Sequence, residues 1–263
     1  MPRTARQKSA LGYYHVMLRG NGRMLLFESD ADRERFLALL TRMTETWPIA
    51  VIAWCLMSNH VHLILSDDAG NLSEAMHSLA TSYATGFNGR TGHVGSVFDG
   101  RFKSVPIESE RQLLAAVRYV HDNPVRAGIG SREDYPWSSY HEYVDAPRLA
   151  SVGVVLGIVG GAPGFLALSE SAVPSGYYFR SGARIPEEDA LEVARSVAAP
   201  AEVGEIRQMG PAARDECLRR LRRAGLSIKQ IERLTGIGRY SIDRALLAGA
   251  KAPNRPVPNE QLV

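Results

Sequence analysis

Residues 57–65 read MSNHVHLIL, which places His60 and His62 one residue apart in a run otherwise suited to a buried strand. Successive strand side chains face opposite ways, so the two imidazoles share one side and Val61, Leu63 and Leu65 the other. Imidazoles about 7 Å apart along a strand can converge on one metal ion or one phosphate. A pair of half-exposed surface histidines gives the same pattern, so a third group is needed. The segment ERQLLAAVRYVHDNP, residues 110–124, supplies one. Leu113, Ala116, Val117 and Val120 form an apolar helical stripe, Tyr119 sits on its flank, and Asn123 lies one turn beyond Tyr119. With this helix across the histidine face, the residues suit phosphoryl transfer. Tyr119 would be the nucleophile, His60 and His62 metal ligands, and Asn123 a further oxygen ligand. A divalent ion would polarise the phosphate, and the phenolate would attack it and hold DNA as a phosphotyrosine that stores the energy for rejoining.

Several elements must position those groups. Residues 13–18 (YYHVML) read as a strand closed by RGNG. Ser29 or Asp30 caps a helix through Phe36, Leu40, Met43 and Trp47, ended by Pro48. IAVIAWCLM and HVHLIL form a hairpin around Ser58-Asn59. Asn71 with Glu74 opens a helix through Met76, Leu79 and Tyr83 in the manner of a capping box. A strand runs through SVFDGRFKSVPI, and a helix from about Ser109 stops near Asn123, ahead of Pro124. The order β-α-β-β-α-β-α indicates an α+β fold: a ferredoxin-like sheet with helices on one face, plus a small all-α C-terminal helix-turn-helix domain. The expected boundaries are 1–145 for the nuclease-like domain, 146–184 for a Gly/Ala/Ser/Pro-rich linker or weakly structured segment, 185–250 for a helical DNA-binding domain, and 251–263 for a disordered tail.

Four motifs in this order, WCLMSNHVHLIL, VFDGRFKSV, YVHDNPVRAG and WSSYHEY, resemble the REP-associated tyrosine transposases of the HUH single-strand nuclease superfamily. The resemblance covers about residues 10–145. It implies that His60-Val61-His62 is the family's His-hydrophobe-His motif, Tyr119 its single catalytic tyrosine and Asn123 its polar metal ligand. It further implies a ferredoxin-like core and Mg²⁺ or Mn²⁺ as cofactor. The expected substrate is single-stranded DNA bearing REP-like hairpins, cleaved through a 5′-phosphotyrosine by a monomer or homodimer in the bacterial cytoplasm, at the nucleoid. Imidazole ligands suit Mn²⁺ better than Mg²⁺, which favours oxygen.

Charge supports a polyanionic partner. From Pro211 onward 11 Lys and Arg face 5 Asp and Glu, while Arg3, Arg6, Lys8, Arg19 and Arg23 all precede the first acid, Glu28. Such concentrations neutralise phosphates and release counterions. Arg19, Arg101, Lys103 and Arg126 are candidate contacts to a DNA backbone, with Arg101 and Lys103 alternating outward on a strand. Tyr13, Tyr14, Phe87 and Phe102 can stack on bases, although packing accounts for any one of them. His93 and His121 are left out of the site. In LSIKQIERLTGIGRYSIDRALLAG, Ile228, Ile231 and Leu234 form a stripe, Gly236-Ile237-Gly238 a turn and Ser241–Leu247 a second helix. This cadence resembles bacterial helix-turn-helix domains. It would place Arg239, Tyr240 and Arg244 against duplex DNA.

The composition is that of a globular chain, 45% hydrophobic and 22% charged. No apolar run of signal length precedes Tyr13, and SVGVVLGIVGG is too short and glycine-rich to span a bilayer, so no membrane partner is expected. Cys55 and Cys217 match no metal spacing and fit a reducing cytosol. A non-catalytic DNA-binding regulator on the same fold is the alternative expectation. A zinc hydrolase of small molecules fits the basic tail poorly.

Overall fold

The computed structural model describes residues 7–171, 177, 179, 185, 187, 190–198 and 201–250 of the chain. It contains two compact units, Met1–Ser181 and Gly182–Val263. The first begins with β1 (Tyr13–Arg19), α1 (Asp30–Thr46), β2 (Ala50–Met57), β3 (His60–Ser66), α2 (Leu72–Thr91), β4 (Lys103–Ile107) and α3 (Glu110–His121). The four strands form one sheet in the order β2-β3-β1-β4, every neighbouring pair antiparallel. This is the ferredoxin-like order expected for β-α-β-β-α-β.

Local chemistry sets most of the boundaries. Ser29 and Asp32 form a reciprocal capping box at the start of α1. Ser58 and Asn59 alone connect β2 to β3, which pins the register Met57↔His60 and Cys55↔His62. Asn71 makes no side-chain cap for α2. Instead the Asp67 carboxylate at the end of β3 accepts the N–H groups of Gly70, Asn71 and Leu72 at 2.9, 3.0 and 2.7 Å. A carboxylate at three free helix-start amides satisfies both their hydrogen bonds and the helix dipole. α3 is capped by Ser109, whose hydroxyl accepts the Gln112 N–H. It stops at His121, and a short α4 (Asn123–Arg126) restarts there because Pro124 sits at a first-turn position, where its missing N–H costs nothing. The strand expected through residues 96–107 is shorter than anticipated. β4 begins at Lys103, so Arg101 lies ahead of it in a loop.

Two cores lie on opposite faces of the sheet. Val16, Leu18, Leu56, Val61, Leu63 and Leu65 face α1 and α2 through Phe36, Leu40, Met76 and Tyr83. Ala53, Cys55, Met57 and Ile64 face α3 through Leu113, Ala116, Val117 and Val120. The expected one-face arrangement therefore holds for α1 and α2, while α3 covers the other side. A bulge at Ile52, between the pairs Val51↔Leu65 and Ala53↔Ile64, switches the parity of β2. β2 contributes to both cores by the ordinary alternation of its side chains, with Trp54 and Leu56 on one side and Ala53, Cys55 and Met57 on the other.

Residues 146–171, expected as linker, are structured. α5 (Tyr140–Val144), α6 (Gly153–Val159) and α7 (Ala162–Glu170) follow in succession, and Val155 and Phe165 are fully buried in the α3-side core. The Phe165 ring stacks on Tyr143 at 4.5 Å. Glu142 fixes the approach to α6: it accepts the Trp54 indole N–H at 2.8 Å and the N–H groups of Arg148, Leu149 and Ala150 at 2.7, 2.6 and 2.7 Å. Small residues suggested a flexible tether, but the few large apolar ones among them decide the packing. Among the described residues no single helix is long and apolar enough to cross a membrane.

Among its described residues the second unit is helical: α8 (Ala190–Ala198), α9 (Pro211–Arg223), α10 (Ile228–Thr235) and α11 (Arg239–Ala250). α10 opens with a Ser227/Gln230 capping box and ends at Gly236, whose φ of 65° is the left-handed cap expected of glycine. α11 starts at Arg239, the first residue of RYSIDR. The expected tail, residues 251–263, lies outside the described residues.

Candidate active site

β3 presents His60 and His62 on the face covered by α3. His62 is 3% exposed rather than standing on an open sheet surface. Their rings lie 5.1 Å apart, centroid to centroid, and nearly perpendicular. The Tyr119 ring comes to 5.6 Å from His62, edge to face, so the helix stripe and the strand alternation converge as the spacing indicated. Asn123 reaches the same place, in hydrogen-bonding range of His60. Its amide N–H₂ group donates to the carbonyls of Tyr119 and Val120 at 2.9 and 3.3 Å. Both hydrogens are spent on its own helix, which leaves Oδ1 as the atom available to the histidine side.

The imidazoles are held neutral. Burial, then the Arg19 guanidinium, lowers His60 to about 4. Burial does more to His62, helped by His15, His60, Arg19 and Arg126, and pushes it well below the ordinary value. Neutral imidazole is the form that ligates a metal. Asn59 adds orientation: its side-chain oxygen accepts the His60 Nδ1–H at 2.8 Å, which turns the Nε2 lone pair outward. Among the described residues no three His, Cys, Asp or Glu side chains converge on a metal position. Two imidazoles and the Asn123 amide oxygen are the donors on this face that could hold a divalent ion.

The cationic candidates separate into groups. Arg19 pairs across the sheet with His60 on the same face. Arg126 places its guanidinium 4.6 Å from the centroid of the Tyr119 ring. Lys103 pairs with Met17, itself the partner of His62, and so shares the face from the edge strand. Arg101 is not brought there. It lines a cavity of about 420 Å³ with Met76, His77, Ala80 and Phe102, beside α2. Tyr14, Phe87 and Phe102 are core residues of the α1–α2 side. Arg239, Tyr240 and Arg244 belong to α11 of the second unit, where all three are exposed, Tyr240 to 81%.

Four residues escaped the sequence reading. Asn59 is accounted for by the hairpin alone, and its place beside His60 is the signal in the sequence. His15 is wholly buried in β1; the signal was a histidine alternating with apolar residues in YYHVML. Its Nε2 lies 2.8 Å from His62 Nδ1, and its Nδ1 lies 2.9 Å from the Tyr177 hydroxyl. Phe179 packs edge-on to His15 at 4.6 Å and to His62 at 5.8 Å. Tyr177 and Phe179 come from the stretch expected as linker, and nothing local marked them. Burial, and then Tyr119, raise the Tyr177 phenol above its usual value, which suits a hydrogen-bonding group rather than a nucleophile. His121, excluded from the site, is buried on the opposite side of α3 from Tyr119, against Tyr140, Tyr143 and Phe165.

Residues 8–123 match the family model of IS200-like transposases, a span that starts before β1 and ends on Asn123. No curated protein matches the chain. Among solved structures, a REP-associated tyrosine transposase bound to a REP hairpin superposes with a TM-score of 0.52 at 17% identity, covering 71% of this chain and 99% of its own. The resemblance drawn from the four motifs thus stands, and the fold is that of the tyrosine transposases.

Proposed function

From the premise that residues 8–123 form an IS200-like transposase domain, we propose that this protein cuts and rejoins single-stranded DNA at hairpin-bearing sequences through Tyr119. The reading is carried by one observation: the Tyr119 ring lies 5.6 Å from the neutral His62 imidazole, on the face that also holds His60 and Asn123. His60 Nε2, His62 Nε2 and Asn123 Oδ1 would hold Mg²⁺ or Mn²⁺, with Mn²⁺ favoured by the imidazoles. The bound ion supplies Lewis-acid polarisation of the scissile phosphate. The Tyr119 oxygen attacks phosphorus after losing its proton to water; the O–P bond of a 5′-phosphotyrosine forms, and the bond to the 3′ oxygen breaks. The departing 3′ oxygen takes up a proton to leave a free 3′-hydroxyl. Rejoining is the reverse, with a 3′-hydroxyl attacking the phosphotyrosine. Arg126 lies over the Tyr119 ring, and Arg19 lies where it can pair with backbone phosphate.

The test is incubation of hairpin-bearing single-stranded DNA with Mn²⁺ or Mg²⁺, followed by denaturing electrophoresis. A metal-dependent protein–DNA adduct is expected, absent in Tyr119→Phe. An adduct that survives this change excludes Tyr119 as nucleophile. A second reading, a DNA-binding regulator without turnover, is favoured by Phe179, which occupies the histidine face. It predicts a footprint on the hairpin with no adduct under any metal. For the second unit, α11 is assigned to duplex DNA through Arg239, Tyr240 and Arg244.

A further inference from the structure

The geometry points to His15 as a positioning residue of the metal site: by accepting the Nδ1 hydrogen of His62, it fixes the tautomer in which His62 Nε2 is a lone-pair donor. The inference rests on the reading that His62 binds a divalent ion. Three groups form a buried chain, Tyr177 hydroxyl to His15 Nδ1 at 2.9 Å and His15 Nε2 to His62 Nδ1 at 2.8 Å. His15 is 0% exposed and His62 3%. Two neutral imidazoles in contact share one hydrogen between the facing nitrogens, so the chain has two polarities. In one, His15 Nε2 donates to His62 Nδ1, the His62 proton sits on Nε2, and that atom cannot ligate. In the other, His62 Nδ1 donates to His15 Nε2, His15 must carry its proton on Nδ1, and the Tyr177 oxygen accepts it. Only the second leaves His62 Nε2 free for a metal. The tautomer of a ligating histidine follows from the bond made by its other nitrogen. Here that bond ends on a third histidine rather than on a carboxylate or carbonyl.

β1 places the group. Met17, not His15, is the direct cross-strand partner of His62, and His15 lies one pleat further along the same face. The diagonal between them brings the rings to 5.0 Å. Phe179 packs against both rings, at 4.6 Å from His15 and 5.8 Å from His62. His60 is served separately by Asn59, so loss of His15 removes orientation from one ligand and not from both.

The test is the Mn²⁺ affinity of the full chain, read by calorimetry and by the loss of the free-ion electron paramagnetic resonance signal, without DNA. His15→Leu keeps the bulk and removes the acceptor; a 10- to 100-fold weaker affinity is expected, the range for losing an outer-shell partner. His15→Gln returns an amide oxygen near the Nε2 position and should recover most of it. His15→Asn reaches only the Nδ1 position and should not. The Gln and Asn variants both keep a polar group, so their comparison stands even where the Leu variant fails to fold. Equal affinity in wild type and His15→Leu, or equal loss in the Gln and Asn variants, overturns the role of His15. Wild-type protein that binds no Mn²⁺, or binds it unchanged in His62→Ala, overturns the metal reading as well.

Discussion

The guanidinium of Arg126 stands 4.6 Å from the centre of the Tyr119 ring. Arg126 belongs to α4, the turn of helix that restarts after Asp122, and Tyr119 to the last turn of α3. The guanidinium thus reaches the phenol ring across the junction at Pro124. A continuous helix would have set residues 119 and 126 two turns apart along one face. Contacts of this kind contribute about 1–2 kcal/mol when partly desolvated. Arg126→Gln is accordingly expected to slow formation of the DNA adduct about tenfold. Arg126→Lys should recover part of the rate, because lysine keeps the charge but not the planar stack. Single-turnover adduct formation with Mn²⁺ measures both; unaltered rates in Arg126→Gln would remove the residue from the reaction.

Glu142 ties the transposase-like sheet to the helices that follow it. Its carboxylate collects the Trp54 indole and three successive backbone N–H groups, and it is 6% exposed. Replacing it by Gln puts a donor where donors already point. A loss of about 2–3 kcal/mol in unfolding free energy is expected, in the range for buried bonds to a charged group. The same contacts make a chain ending at Asp145 incomplete, since it exposes the Tyr143 face that Phe165 covers. Such a truncation should melt without cooperativity, whereas one ending at Ser181 should melt as a unit.

His121 gives the fold an acid limit independent of the histidine face. Its Nε2 meets the Ser139 hydroxyl at 2.9 Å, and burial, followed by Arg132 and His141, lowers it from 6.5 to about 3. Between those values the unfolded chain binds a proton that the folded chain refuses. Stability is thus full above pH 6.5 and falls as the pH drops toward 3. By pH 5 this site costs about 2 kcal/mol. Thermal melting of His121→Gln between pH 7 and 5 should show a shallower decline than wild type, and a parallel decline would refute the assignment.

The exposed start of α11 is open to mutation without structural cost. Arg239→Ala and Arg244→Ala should each weaken duplex DNA binding and lower the salt slope by about one. Tyr240→Ala should weaken binding with the slope unchanged, since it removes no charge. Melting temperatures should stay within the scatter expected of surface changes. Fluorescence anisotropy across a salt series separates these outcomes; three variants that bind as wild type would leave α11 without a DNA role.

Local periodicity determined a good deal by itself. Alternation in HVHLIL put both histidines on one face, and the stripe of α3 put Tyr119 on its flank with Asn123 a turn beyond. The two-residue hairpin, a cap at Ser29 or Asp30 and a helix start near Ser109 are legible for the same reason: each depends on neighbours within about four residues. What tertiary structure decided involves partners far apart in sequence. His15 meets His62 because β1 pairs with β3 across 47 positions, and register, not composition, chooses which side chains become neighbours. Arg101 leaves the site because β4 starts at Lys103, two residues after it. Tyr177 and Phe179 arrive from a stretch whose small residues carry no periodic signal. Their rings are placed by contacts with His15, His62 and Tyr119, a cluster that only the folded chain assembles.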